Sequence, residues 1–217
     1  MNIEQARFNM IEQQIRPWDV LDQTVLSLLA VVKREDFLPS AHKAMAFVDT
    51  EVPLPGGQSM LQPKVEARFL QELAVHKHER VLEVGAGSGY MAALLGHRGQ
   101  QVITLEILPE LASFARANLE RAGLMNVNVR QADGSRGLPA VGPFDVIMLS
   151  GSVPEVPPAL LAQLKVGGRL AAVVGQQPVM RGMLFKRGAN DDFSSTVLFD
   201  TVAPRLAGFE EPTRFKF

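Results

Sequence analysis

From Arg80 onward, apolar runs of strand length alternate with segments of helical pattern, and no other feature constrains the fold as tightly. RVLEV (80–84), QVITLE (101–106), VNVR (127–130), FDVIMLS (144–150) and RLAAVVG (169–175) are the strand candidates. Helical segments lie between them over 90–98, 109–122 and 158–164, the second opened by Pro109 in the first turn, where its fixed φ and missing N–H are tolerated. Buried-type strands separated by helices imply a parallel sheet covered on both faces. The pattern then changes. MLFKR (183–187) and STVLFDTV (195–202) flank GANDD, which reads as a hairpin turn. The expected fold is α/β: a doubly wound, mostly parallel sheet with an N-terminal helical extension and an antiparallel C-terminal hairpin.

In the extension, Phe8, Ile11 and Ile15 fall on one helical face, and Pro17 ends that helix. A second helix is expected from about Asp19, its candidate N-cap, to Val32. VPLPGGQSMLQP (52–63) holds three prolines and two glycines, which speaks against regular structure. A loop this long in a compact domain points to function. Helical periodicity returns over 64–74 through Val65, Phe69 and Leu73. We therefore expect residues 1–75 to form helices and a substrate and cofactor loop, and 76–217 to form the ligand-binding core, as one compact unit.

Composition removes several function classes. There is no cysteine, which excludes disulfides, zinc–thiolate sites, iron–sulfur clusters and thiol nucleophiles. Four histidines offer little for a metal, and none is expected; His76 and His78 read as a solvated turn. The formal net charge of −1 gives no bulk attraction for nucleic acid or anionic membrane. The opening residues carry Glu4 and Arg7 and lack a secretion core, and the apolar stretch 25–32 is too short to span a bilayer. The expectation is a soluble, cytoplasmic protein without nucleic-acid or membrane partners.

The sharpest chemical signal is VLEVGAGSGY (81–90), where Gly85, Gly87 and Gly89 stand between a strand and a helix. Glycines there permit a sharp turn and close ligand approach. The spacing differs from the GxGxxG dinucleotide pattern, and no GK[ST] follows, so a P-loop is excluded. Glu83 would repel a pyrophosphate. Glu106 ends the second strand, where a carboxylate can accept both hydroxyls of a ribose. Asp133-Gly134 follows the third strand, and Asp133 can accept from the amine of an adenine. A ribose, an adenine and a cationic end together describe S-adenosylmethionine, with Glu83 serving the ammonium end directly or through water. The plainer alternative is that the glycines allow tight packing and Glu106 is a surface charge.

With these motifs in hand, the chain resembles the protein-L-isoaspartate (D-aspartate) O-methyltransferase family. The resemblance rests on VKREDFLP (32–39), VDTEVPLPGGQSMLQP (48–63), VLEVGAGSGY, ADG (132–134) and PFDVIMLSGSVPEVPPALLAQLKVGGRLAAVVG (143–175). It implies a Rossmann-like methyltransferase fold. It also implies transfer of a methyl from S-adenosylmethionine to the free carboxyl of isoaspartyl residues in damaged proteins. Cofactor contacts are implied for Gln58, Ser59, Met60, Glu83, Gly85, Ala86, Gly87, Ser88, Gly89, Tyr90, Glu106, Ile107, Asp133 and Gly134. The family's loop ends in a TIS run whose serine is taken as the active-site hydroxyl. Here the run is Ser59-Met60-Leu61, so Leu61 holds that place and Ser59 keeps a hydroxyl at the threonine place. Ser150-Gly151-Ser152 replaces a TAA-like run, and the tail FEEPTRFKF matches poorly. A methyltransferase of the same fold with another acceptor, and a non-catalytic S-adenosylmethionine-binding homologue, remain alternatives.

Five further features carry a structural and a functional reading. Lys64 and Arg68, one turn apart, either form a solvated face or meet an acidic peptide. Trp18 reads as a packing anchor, Met180 and Met183 as core or edge fillers, and Asp145 as structural. His97, at a helix end, suits the dipole as a cation.

Overall fold

The extended β propensity of the five apolar runs is realised as one seven-stranded sheet. The computed structural model describes residues 2–209. Strands β3 (Arg80–Val84), β4 (Gln101–Glu106), β5 (Val127–Gln131), β6 (Phe144–Val153) and β7 (Leu164–Gln176) are parallel; β8 (Val179–Arg187) and β9 (Phe193–Thr201) add antiparallel. The order is β5-β4-β3-β6-β7-β8-β9. Strand β3 thus pairs with β4 on one side and β6 on the other, and the chain direction of winding reverses there. Ligands of open α/β sheets bind outside the carboxyl ends of the strands at such a reversal.

Alternation along each strand sends its side chains to two cores. Val81, Val102, Val146, Met148, Ala171 and Val173 join one cluster; Leu82, Ile103, Ile147, Leu149, Leu170 and Ala172 join the other. Fully burying a side chain of this size stabilises by roughly 1.5–3 kcal/mol. The first cluster is covered by α3 (Pro63–Leu73), α4 (Tyr90–Arg98) and the N-terminal segments. Helix α3 starts on Pro63, buries Val65, Phe69, Leu70 and Leu73, and stops where Ala74 turns left-handed at φ 42°. Helix α5 (Pro109–Arg121) likewise starts on a proline.

Several local expectations need correction. In the extension, α1 (Ile3–Met10) passes into a wide π turn over Ile11–Ile15 and a 3-10 turn over Arg16–Trp18. The extra residue in the wide turn rotates the face, so Ile11 and Ile15 are buried while Phe8 is 59% exposed. Asp19 is not an N-cap: at φ 63° it closes the 3-10 turn. Asp22 caps α2 (Gln23–Val31) instead, its Oδ1 accepting from the Thr24 N–H at 2.7 Å. The proline-rich loop is not wholly irregular, because β1 (Val52–Pro53) and β2 (Ser59–Met60) pair antiparallel around it. The helix expected over 158–164 is only α6 (Pro158–Leu161), and β7 already begins at Leu164. The hairpin turn is as expected, with Asn190 and Asp191 left-handed. The tail beyond Phe209 lies outside the described residues.

Trp18 anchors the extension to the hairpin. Its ring lies 4.8 Å from that of Phe199, and the Phe69 ring lies 5.1 Å from Phe199 as well. Among the described residues, no helix is long and apolar enough to cross a membrane.

Candidate active site

Strand β3 runs into Gly85, and Gly85, Gly87 and Gly89 take φ of 91°, 52° and 85°. L side chains rarely adopt these angles, so the turn depends on glycine. The Gly85 and Ala86 N–H groups donate to the Leu105 carbonyl at 2.8 and 3.1 Å, which ties the turn to the neighbouring strand. At that strand's end Glu106, 5% exposed, accepts from the Gly87 N–H at 2.9 Å and the Leu108 N–H at 3.1 Å. A carboxylate offers about four acceptor positions. Two remain for hydroxyl donors. A cleft opens here, bounded by Gln58, Ser59, Gly85, Gly87, Glu106, Ile107, Gly134 and Ser150 with apolar Leu54, Leu111 and Leu206. Acceptor oxygens at one wall and apolar side chains at the others suit a ribonucleoside.

A small inner cavity shares Leu54, Ser59, Gly85, Gly87 and Ser150 with the cleft and adds Met60, Leu61, Glu66, Glu83, Ala86 and Ser88. Glu83 is fully buried there, and the Thr104 and Ser150 hydroxyls each donate to it at 2.6 Å. Burial pushes its carboxyl up to about 8, against the opposing pull of the Ser150 and Thr104 hydrogen bonds. Glu66, on α3, is pushed up to about 7 by burial although Arg34 opposes this. Arg34 Nε lies 3.3 Å from Glu66 Oε2, while its two Nη atoms donate to the Ala46 and Leu61 carbonyls at 3.3 and 2.7 Å. The guanidinium, itself 1% exposed, thereby fixes the backbone at Leu61.

The loop between β1 and β2 lies against both α5 and the glycine turn. A Cβ on Gly56 would stand 2.7 Å from Glu110 Oε1 and 2.8 Å from Leu108 Cδ1. On the opposite side, residues 203–206 run beside the end of β6: Ser152 N–H donates to Pro204 O at 2.7 Å, and Leu206 N–H to Ser152 O at 2.9 Å. A wide groove of about 1250 Å³, bounded by Glu51, Ser59, Gln177, Met180 and Val202 to Arg205, reaches the same place from the surface. Ser59 lies on the wall of the cleft, the inner cavity and the groove.

Most of the residues singled out in the sequence meet at these two connected spaces. Gly89, Tyr90 and Asp133 do not bound either. Gly89 packs against Ala115 and Leu119 of α5. Tyr90 is 1% exposed beneath Phe37 and Arg34. Asp133 turns its Oδ1 to the Ser135 N–H at 2.9 Å. Sequence reasoning missed Glu66 and Leu206. Glu66 had a signal, as a charge on the inward face of an amphipathic helix; Leu206 had none, because it reaches the cleft only through the course of the chain after β9. Lys64 pairs with Asp49 at 2.6 Å and sits over Trp18, and Arg68 pairs with Glu72 and Asp19, so both serve the fold. Asp145 accepts from Arg80 N–H and Lys165 and is structural. Met180 is buried and Met183 partly so. The His76 and His78 rings stack 5.9 Å apart in a turn. His97 is held below its usual range by burial and by Lys77, which corrects its reading as a cation at the helix end. Among the described residues no group of acidic, histidine or cysteine side chains is arranged to hold a metal.

Comparison with known proteins gives a consistent picture. The family model described as Protein-L-isoaspartate(D-aspartate) O-methyltransferase matches residues 5–203. A Koribacter versatilis protein named protein-L-isoaspartate O-methyltransferase is 43% identical over 169 residues, 78% of this chain and 76% of that one. A Rhodopseudomonas palustris protein-L-isoaspartate O-methyltransferase 1 is 40% identical over 205 residues, 94% of this chain and 84% of that one. A solved protein-L-isoaspartate O-methyltransferase superposes with a TM-score of 0.78 at 27% identity, covering 93% of this chain and 66% of that one. A Plasmodium falciparum protein solved in complex with S-adenosyl-L-homocysteine shares the fold, with a TM-score of 0.78 over 92% of this chain and 97% of that one at 21% identity.

Proposed function

This chain belongs to the protein-L-isoaspartate (D-aspartate) O-methyltransferase family, and from that premise we infer that it is an S-adenosylmethionine-dependent enzyme that methylates the free carboxyl of isoaspartyl residues in damaged proteins. The observation that carries this reading is the place of Ser59, shared by the cleft and the surface groove. A protein substrate can lie outside while one carboxyl reaches the donor inside. The cytoplasmic location expected from the sequence is part of the same proposal.

Glu106 takes the ribose hydroxyls, Gly85 and Gly87 allow the nucleoside to approach the main chain, and Glu83 with Ser150 bounds the end where the amino acid portion lies. Ile107 and Gly134 stand at the nucleoside end, Gln58, Ser59 and Met60 at the loop side. The donor supplies a methyl on a positively charged sulfur. The acceptor carboxylate, with a reference pKa of about 3.5 for an α-carboxyl, is already ionised near neutrality. Its oxygen provides the electron pair of the new bond while the methyl–sulfur bond breaks and leaves its pair on the sulfur, so no general base is needed. The chain's contribution is alignment of the two reactants and exclusion of water by the loop 52–60 and residues 203–207.

The test is methyl transfer to an isoaspartyl peptide beside its aspartyl twin. Label incorporated into the first and only background in the second is the expected result. Equal background in both, from protein that binds the methyl donor, would remove this reading and favour another acceptor.

A further inference from the structure

Glu66 is the one charged side chain among the buried residues of α3. It is 4% exposed, stands on the inward face of α3 between Val65 and Ala67, and bounds the inner cavity together with Leu61, Glu83 and Ser150. Its ion pair is a single long contact, 3.3 Å from Arg34 Nε. Arg34 directs both Nη atoms to backbone carbonyls, one of them that of Leu61, so no two-pronged guanidinium–carboxylate pair forms. Burying an ion pair of this quality stabilises little or not at all relative to apolar packing. The carboxyl therefore invites a role in the cavity it borders. Leu61, on the same wall, offers no donor.

We propose that Glu66, in its protonated form, donates the hydrogen bond that holds the acceptor carboxylate in the inner cavity, the duty for which position 61 offers no hydroxyl. The inference rests on the isoaspartyl reading above and deepens it by naming the side chain that receives the substrate carboxyl. The proton stays on Glu66 throughout. One carboxylate oxygen of the acceptor takes the hydrogen bond and the other remains free to take the methyl.

The charges around Glu66 decide when it can act. Arg34 faces it from the turn at Arg34–Asp36, and Glu83 from β3. Tyr90, on α4, contributes a hydroxyl without a partner. Behind them Glu35 pairs with Arg7, and Glu106 lies farther along the cleft. Burial pushes Glu66 up to about 7 and Glu83 up to about 8. Below that range the cavity admits an anion and offers it a donor. Above it, two carboxylates repel a third.

The experiment measures initial rates of isoaspartyl peptide methylation from about pH 5.5 to about pH 9 for the wild type, E66Q, E66V and E66V/L61S. In the wild type, KM for the peptide rises by about tenfold per pH unit above the Glu66 transition, with kcat changing less. E66Q donates from an amide at every pH, so the rise in KM that begins at the Glu66 transition disappears and only the later rise from Glu83 remains. E66V raises KM at acid pH by roughly ten- to a hundred-fold, and L61S in that background recovers much of the loss. Melting curves and calorimetry with the methyl donor show that each variant is folded with an intact cofactor pocket. A folded E66V with wild-type KM and pH profile would overturn the proposal and leave the isoaspartyl reading standing. So would E66Q with an unaltered alkaline rise. No turnover of isoaspartyl peptide by the wild type would overturn both.

Discussion

A single carboxylate organises the glycine turn at the wall of the cleft. Glu106 holds the N–H groups of Gly87 and Leu108, so the same side chain shapes the turn and faces the cleft. We expect E106A to weaken both the methyl donor and its demethylated product by about ten- to over a hundred-fold, in line with the roughly 1.5–3 kcal/mol of a hydrogen bond to a charged group. Both ligands carry the same ribose, so calorimetry should give equal losses; a loss confined to the donor would place Glu106 near the sulfur instead. At this scale the sequence was informative wherever a residue's role follows from its neighbours in the chain. Glycine spacing and a carboxylate at a strand end announced themselves. Glu66 did not, because its inward direction depends on which face of α3 meets the sheet, and Tyr90 and Asp133 did not meet the cleft because the chain turns their side chains elsewhere.

Among the elements, the short ladder of β1 and β2 is the part whose form was least legible. Prolines and glycines forecast a loop, yet the pairing of Val52 with Met60 is tertiary, fixed by docking on α5 and the glycine turn. Gly56 and Gly57 separate that docking from backbone strain. Both are left-handed, at φ 68° and 71°, but only Gly56 has neighbours where a Cβ would stand. Alanine at either position costs about 1 kcal/mol or somewhat more in strain, lowering the melting temperature by about 2–4 °C in a chain of this size. We expect G56A, and not G57A, also to weaken cofactor affinity several-fold, because it displaces the loop from α5. Equal affinities in the two variants would show that the loop's seat on α5 does not matter for binding. The parallel strands were legible because burial on both faces makes nearly continuous apolar runs. The π turn over 11–15 was not, since an inserted residue breaks the very periodicity used to find helices.

In the molecule as a whole, burial makes the protons of Glu51, Glu66 and Glu83 outlast those of ordinary glutamates, and the shifts at Glu66 and Glu83 are large. The unfolded chain releases them near 4.5, the folded one near about 7 at Glu66 and about 8 at Glu83, burial being the main cause in both. In that window the native state binds more protons than the unfolded state, so stability declines as pH rises from about 4.5 to about 8 and the contribution of these groups levels off above it. Melting temperatures across the window check the sign. E83Q, which cannot ionise, should flatten part of the slope, and a slope unchanged in E83Q would assign the effect elsewhere. Other carboxyls act oppositely: Glu79 is held low by Arg169 hydrogen bonds and the His76 N–H against the cost of burial, so it loses its contribution on acidification.

The two stretches that lie over the cleft come from distant parts of the chain, the loop at 52–60 and the run at 203–207. They form a roof with two leaves over the cleft in which we place the donor nucleoside. Spent donor can depart by lifting either leaf, whichever opens more often. Deuterium uptake at the Leu54 and Leu206 amides, which hang on the Gln58 and Ser152 carbonyls, would reveal which one serves as the door.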